Sequence, residues 1–296
     1  MTNNLDPIET LLDHDDHDDF GGLHRDLPHV LGRRRALQWI GGLSLAGVLT
    51  ACGSEASSSG SATTSATTAS TAAADSATTA TTAATDSAVE ASAGAEIPDE
   101  TAGPYPADGS NGPNALGEAG IERADITTSF GSLSGAVDGV PATISFTVVD
   151  AATGDPMVGA AVYAWHCTPG GQYSIYEVTD QNYLRGVQVT DAAGRVSFTS
   201  VFPGCYAGRW PHVHFEVYES LDTATAGSQA IKTSQLALPQ ADCEAVYADS
   251  RYGNSTQNLA RLSLSTDNVF SDGWEDQLAT IATSGGAYTA SLLVRV

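Results

Sequence analysis

Two histidines one residue apart, His212 and His214, lie in a run, His212-Val213-His214-Phe215-Glu216-Val217-Tyr218, that reads as a β-strand. Side chains at i and i+2 of a strand leave from the same face, so both imidazoles can reach one point. That is metal-ligand geometry, although His-x-His on its own is a weak signal. Further donors are few. Cys167 and Cys205 are soft candidates, but should the chain be exported, as its N-terminal segment suggests below, their thiols are expected to pair. Tyr206 stands six residues before His212, just after a Pro-Gly turn. Tyr173 follows the end of a second strand and a glycine turn, in Trp165-His166-Cys167-Thr168-Pro169-Gly170-Gly171-Gln172-Tyr173. Phenolate is a hard, anionic donor. Two phenolates with two imidazoles place two negative charges on a cation, which favours Fe(III) over Fe(II) or Zn(II). The ferric charge would draw the phenol pKa far below its usual value of about 10. Four protein donors leave room for water, hydroxide or an exchangeable ligand. His166 alternates away from Trp165 and reads as a hydrogen-bonded structural group.

The elements that must position these residues are short and β-like. Thr143–Asp150, Ala160–Cys167, Gly186–Thr190, Arg195–Ser200, His212–Tyr218, Ile231–Leu238, Thr280–Thr283 and Tyr288–Val296 carry the alternation and β-branching of strands. Asp191-Ala192-Ala193-Gly194 reads as the turn of a hairpin. Residues 241–260 read as a short helical excursion, with Cys243, Val246, Tyr247 and Leu259 as packing positions. The expected fold is all-β, a β-sandwich of mixed or antiparallel sheets with long active-site loops, preceded by a disordered N-terminal region.

In this order the motifs resemble the intradiol ring-cleavage dioxygenases, the family of protocatechuate 3,4-dioxygenase and catechol 1,2-dioxygenase, and within it the exported single-domain members of actinobacterial type. Thr101-Ala102-Gly103-Pro104-Tyr105 resembles the segment that edges the substrate entrance, making Pro104 and Tyr105 pocket candidates; Tyr105 reads equally well as simple packing. Trp165 to Tyr173 resembles the strand and turn that deliver the first tyrosinate, and Asn182-Tyr183-Leu184-Arg185-Gly186 the loop that follows. Pro203-Gly204-Cys205-Tyr206 fits the second tyrosinate, and His212-Val213-His214-Phe215 the two-histidine strand. Arg209 fits the arginine beside the substrate, and Thr233-Ser234-Gln235-Leu236 the strand with the active-site glutamine. Trp210 is a further pocket candidate, or a cover for the sheet.

The resemblance implies a non-haem Fe(III) held by Tyr173, Tyr206, His212 and His214. It implies that Tyr206, Arg209 and Gln235 act in catalysis, and that an aromatic diol and O2 yield a cis,cis-muconate-type product. Two departures bear on substrate and assembly. Only Ala207-Gly208 separates Tyr206 from Arg209, and the helical dimerisation domain of the catechol enzymes has no counterpart. Monomer and homodimer both stay open. The competing readings are a tethered β-sandwich with structural metal, and a surface scavenger that binds iron-catecholates without cleaving them.

Composition divides the chain into three parts: 1–52, 53–95 and 96–296. The first 32 residues are acidic and His-rich and read as a solvated extension. Arg33-Arg34-Arg35 precedes a Gly-rich apolar stretch that is short for a membrane span. It resembles a twin-arginine export signal with Ala36-Leu37 after the arginines. Leu49-Thr50-Ala51-Cys52 resembles a lipobox, in which Cys52 would carry the lipid. Residues 53–95 are almost all Ala, Ser, Thr and Gly; they cannot bury enough to order themselves and read as a tether. The expected place is the outer face of the cell membrane, held only through lipid, or the medium. Three cysteines remain in the domain; Cys205–Cys243 is the expected disulfide and Cys167–Cys205 the runner-up. With 35 acidic against 12 basic residues and a net charge of -23, nucleic acid is excluded as a partner of the surface at large.

Overall fold

The structure, a computed structural model, describes residues 92–296. The arginine cluster, Cys52 and most of the expected tether lie outside the described residues. Among the described residues eight strands make two four-stranded sheets. Their ranges are β1 Pro141–Val149, β2 Ala161–Trp165, β3 Arg185–Val189, β4 Arg195–Val201, β5 His212–Tyr218, β6 Lys232–Ala237, β7 Thr280–Ser284 and β8 Ala287–Arg295. One sheet has the order β4-β1-β8-β7, with β1 and β8 parallel and its other pairs antiparallel. The other has the order β3-β2-β5-β6 and is antiparallel throughout.

The alternation in β1 sends Ile144, Phe146 and Val148 inward and leaves Thr143, Ser145 and Thr147 half-buried. From the facing sheet, Val213, Phe215 and Val217 of β5 meet them in the core between the sheets. The Phe146 and Phe215 rings lie 4.8 Å apart. Yet β5 is buried at all seven positions. A strand of period two can be buried on both faces only if a second layer covers its outer side. Residues 101–130 supply that layer. Ala107, Leu116, Ile121 and Phe130 pack with Tyr163, Trp165 and Tyr218 on the side away from the sandwich core.

Hydrogen bonds from the sheet fasten this roof. Tyr163 Oη donates to Pro106 O at 2.7 Å, Arg185 Nη1 to Tyr105 O at 2.8 Å and Gln235 Nε2 to Thr101 O at 2.8 Å. Upstream of the roof, Gly94 N donates to Ala151 O at 2.9 Å and Ile97 N to Arg295 O at 3.0 Å. Lys232 Nζ reaches Glu96 at 2.9 Å.

The expected hairpin around Asp191–Gly194 is corrected. β3 and β4 follow one another but belong to different sheets. The turn itself forms: the Asp191 carboxylate accepts from Ala193 N and Arg195 N, and Gly194 has φ 72°. Val148 N then donates to Gly194 O at 2.7 Å, which docks the turn on β1, and β4 takes β1 as its partner. A side chain at Gly194 would run into the Val148 carbonyl. The helical excursion forms as α1 Gln240–Val246, a 3-10 turn Ser250–Tyr252 and α2 Ser255–Leu259. Among the described residues no helix is long and apolar enough to cross a membrane.

Candidate metal centre

His212 and His214 leave the outer face of β5, beneath the roof, where each is 2% exposed. Register places His214 between Trp165 of β2 and Gln235 of β6. The Trp165 and His214 rings stack at 4.9 Å with 4° between their planes, which fixes the imidazole's orientation. His212 Nδ1 faces Trp210 O. With its proton on that nitrogen, Nε2 carries a lone pair into the site.

Two loops bring the phenols to the same place. After β2 the chain turns through Thr168–Gln172, where Gly171 has φ 86°. Tyr173 follows; its N–H donates to Glu177 Oε2 at 2.9 Å, and Ser174 O accepts from Arg185 Nη2 at 2.9 Å. The Pro203–Tyr206 loop lies against this turn. Gly204 N donates to Thr168 O at 3.2 Å, so close that a side chain at Gly204 would strike the Pro169 carbonyl. Ser255 Oγ and Asn258 Nδ2 of α2 hold the Cys205 backbone from the other side.

Tyr173 Oη and Tyr206 Oη each lie 3.3 Å from His212 Nε2, and His214 Nε2 lies 3.1 Å from it. Donors bound to one ion at about 2 Å stand roughly 3 Å from each other, so the four atoms have the mutual spacing of a ligand set. Among the described residues no three His, Cys, Asp or Glu side chains form a metal-binding group; an ion here must draw on the phenols. Burial, and then the neighbouring Arg209, hold His212 down to about 3, and burial with His212 beside it holds His214 well below its usual value. Both rings are therefore neutral and offer lone pairs. Burial and then Tyr206 push the Tyr173 phenol well above 10. Without a cation the cluster resists ionising, so the donor chemistry and spacing together fit a hard, highly charged ion.

Arg209 is buried beside this cluster. Its Nη2 donates to Gln235 Oε1 at 2.8 Å and its Nε to Asp267 Oδ2 at 3.1 Å, with both ion-pair side chains fully buried. Asp267 also accepts from Trp210 N at 2.7 Å and Val269 N at 2.9 Å. Burial opposes its charge, but Arg209 and these N–H groups prevail and hold the carboxyl below its usual range. Asp267 escaped the sequence reading because it sits in a polar loop with no spacing relation to the histidine strand. Arg185, equally buried, spends its donors on Tyr105, Pro106, Tyr163 and Ser174.

The structure treats the remaining candidates unequally. Tyr105 is half-buried with its ring 4.7 Å from that of Tyr173, and Pro104 O accepts from Asn111 in the same roof segment. Trp210 as a pocket residue is corrected: it packs in the core between the sheets, and its Nε1 donates to Leu238 O at 2.8 Å. The Cys205–Cys243 disulfide is also corrected. Cys167, Cys205 and Cys243 are all free, buried thiols. Cys205 Sγ points to the Tyr206 and Arg209 carbonyls and Cys167 Sγ to Gly204 O. His166 is structural, set between Cys167 O and Ser200 Oγ.

A family model described as Dioxygenase matches residues 112–223, a stretch that contains both phenols, Arg209 and both histidines. Chlorocatechol 1,2-dioxygenase of Pseudomonas putida is 32% identical over 84 residues, 22% of this chain and 32% of that protein. The chain thus spans about a third of the length of that curated relative. An intradiol ring-cleavage dioxygenase of Tetranychus urticae superposes with a TM-score of 0.54 at 24% identity, over 68% of this chain and 93% of that one. At that identity the superposition speaks to the fold, which is the same two-sheet architecture. The family model, the chlorocatechol 1,2-dioxygenase match and this shared architecture all point towards the intradiol ring-cleavage dioxygenases.

Proposed function

We propose that the protein is a non-haem Fe(III) intradiol dioxygenase that opens catechol-type diols with O2 to cis,cis-muconate-type dicarboxylic acids. The observation that carries this reading is the approach of two phenol oxygens and a second imidazole to within 3.3 Å of His212 Nε2. Tyr173, Tyr206, His212 and His214 would hold the iron. Iron so held supplies Lewis acidity, drawing electron density from the diol and making a ring carbon reactive toward O2.

The chain's own residues do the rest. Tyr206 is half-buried whereas Tyr173 is 1% exposed, so Tyr206, as the phenolate that a bound iron would hold, is the one with room to swing and take a proton from a substrate hydroxyl at its Oη. Tyr173 and the two imidazoles keep their places. The Arg209 guanidinium stabilises negative charge that develops on the substrate oxygen. Gln235 accepts from Arg209 and donates to Thr101 O, which holds the guanidinium against the roof. Tyr105, packed on Tyr173, keeps bulk water from the phenols. One atom of O2 ends in each of the two new carboxyl groups.

In the same reading the protein works outside the cytoplasm, exported folded by a twin-arginine route and held by lipid at Cys52. The test is a diol panel on the iron-loaded protein, read by O2 uptake and muconate absorbance. A red-brown protein that consumes O2 with catechol supports the proposal. Binding without O2 uptake would leave a scavenger, and a metal held without any response to diols would leave a structural site.

A further inference from the structure

The buried Asp267 neutralises the guanidinium that stands beside the candidate centre, and we infer that it thereby sets the site for diols without an anionic ring substituent. This rests on the catalytic reading above and narrows its substrate class. Arg209 is the cation next to the phenol–imidazole cluster. A substrate carboxylate would seek such a group, because a planar guanidinium takes an oxyanion through two parallel donors. Here the Nε edge is already turned to Asp267, at 3.1 Å from Oδ2 and 3.4 Å from Oδ1, and Nη2 is turned to Gln235. Neither partner of the ion pair is exposed, so to a carboxylate on a distant ring position the pair offers no net positive charge, although the guanidinium still acts on charge that develops beside it.

Asp267 is not free to turn away. Trp210 N, Val269 N and Phe270 N all donate to it, and Trp210 is itself locked in the core. The other buried arginine on this side, Arg185, faces carbonyl and hydroxyl oxygens beneath Tyr105 and Pro106 and is 1% exposed. An incoming carboxylate cannot reach it without lifting the roof.

The wider field acts in the same direction. Residues 92–296 contain 23 Asp and Glu against eight Lys and Arg, a formal balance of -15. A surface of that sign slows the approach of anions and leaves neutral diols unaffected. The fixed ion pair and the acidic surface are separate features, and both act against a carboxylated ring.

The experiment compares catechol and 4-methylcatechol with 3,4-dihydroxybenzoate on the iron-loaded full chain, by kcat/KM at low and high salt. The neutral diols are expected to be favoured at least tenfold, with the margin narrowing as salt screens the surface. The variant Asp267→Asn should release the charge of Arg209. The ratio of carboxylated to neutral diol turnover should then rise at least tenfold, even as turnover of catechol falls. Because Asp267 also ties down three N–H groups, the variant is checked by thermal melting. Should it not fold, inhibition of the unaltered protein decides: 4-methylphenol should inhibit at least tenfold more tightly than 4-hydroxybenzoate. Equal use of 3,4-dihydroxybenzoate and catechol overturns the inference and leaves the dioxygenase reading standing. A folded Asp267→Asn variant that slows every diol by one factor overturns the role given to Asp267. A protein that neither binds nor cleaves any diol overturns both readings.

Discussion

Two phenols meet one imidazole nitrogen at the same 3.3 Å, but their surroundings differ. Tyr173 is sealed beneath Tyr105 and pinned at its backbone through Glu177 and, one residue on, Arg185. Tyr206 sits in a loop whose neighbouring backbone is held by Thr168, Ser255 and Asn258, and its own ring is half-buried. Tyr173→Phe should therefore cost iron as well as colour. Tyr206→Phe should keep most of the iron, shift the visible absorption, and lose at least a hundredfold in kcat, as expected for the loss of a positioned proton acceptor. Metal analysis beside the visible spectrum separates the two; equal iron loss in both variants would contradict the division of roles. The two histidines were legible because a period of two is a property of any strand. The tyrosines were legible only as nearby phenols after glycine turns. Asp267 and the stacking of Trp165 on His214 were not, since both depend on which strands and loops become neighbours.

β5 has two unlike faces, and both are buried. Its apolar face belongs to the sandwich; its polar face continues past the histidines to Glu216 and Tyr218. Tyr218 Oη donates to Glu216 Oε2 at 2.6 Å. Burial pushes the Glu216 carboxyl up to about 7, against the lowering effect of that hydrogen bond. The folded chain thus holds this proton more tightly than an unfolded chain would. Stability from Glu216 is complete below about pH 4.5 and is lost as pH rises through 7, at most about 3 kcal/mol. Glu216→Gln keeps an acceptor for Tyr218 and cannot titrate. Melting temperatures measured from pH 5 to pH 8 should fall more steeply for the unaltered protein than for the variant; parallel curves would exclude the carboxyl as the source. The strands themselves were readable from alternation and β-branching, as in Thr143–Val149. What alternation could not tell was partnership. The segments on either side of Asp191 look like one hairpin, but the bond from Val148 to Gly194 sends them to opposite sheets. Nor does sequence say that a strand with a polar face will be roofed, because the roof precedes it by about a hundred residues and carries no periodic signal.

At the scale of the molecule, residues 92–296 are acidic, packed on both sides of one sheet, and place all four candidate donors between residues 173 and 214. All four candidate donors lie among the described residues. Under the proposed localisation, Cys52→Ser should move the protein from the membrane to the soluble fraction with catechol turnover unchanged, as fractionation and O2 uptake would show. Continued membrane retention would mean that something other than lipid at Cys52 holds it. The way the chain enters the domain bears on this arrangement. Gly94 and Ile97 are bonded to Ala151 and Arg295 at the end of the β1–β8 pair, and Glu96 to Lys232 at the edge of the other sheet, all before the roof begins. A pull on the chain upstream is therefore borne by these clasps, in shear, at a corner of the sandwich. The span that closes over Tyr173 starts only downstream of that anchorage, so tugging at the tail leaves the mouth of the site undisturbed.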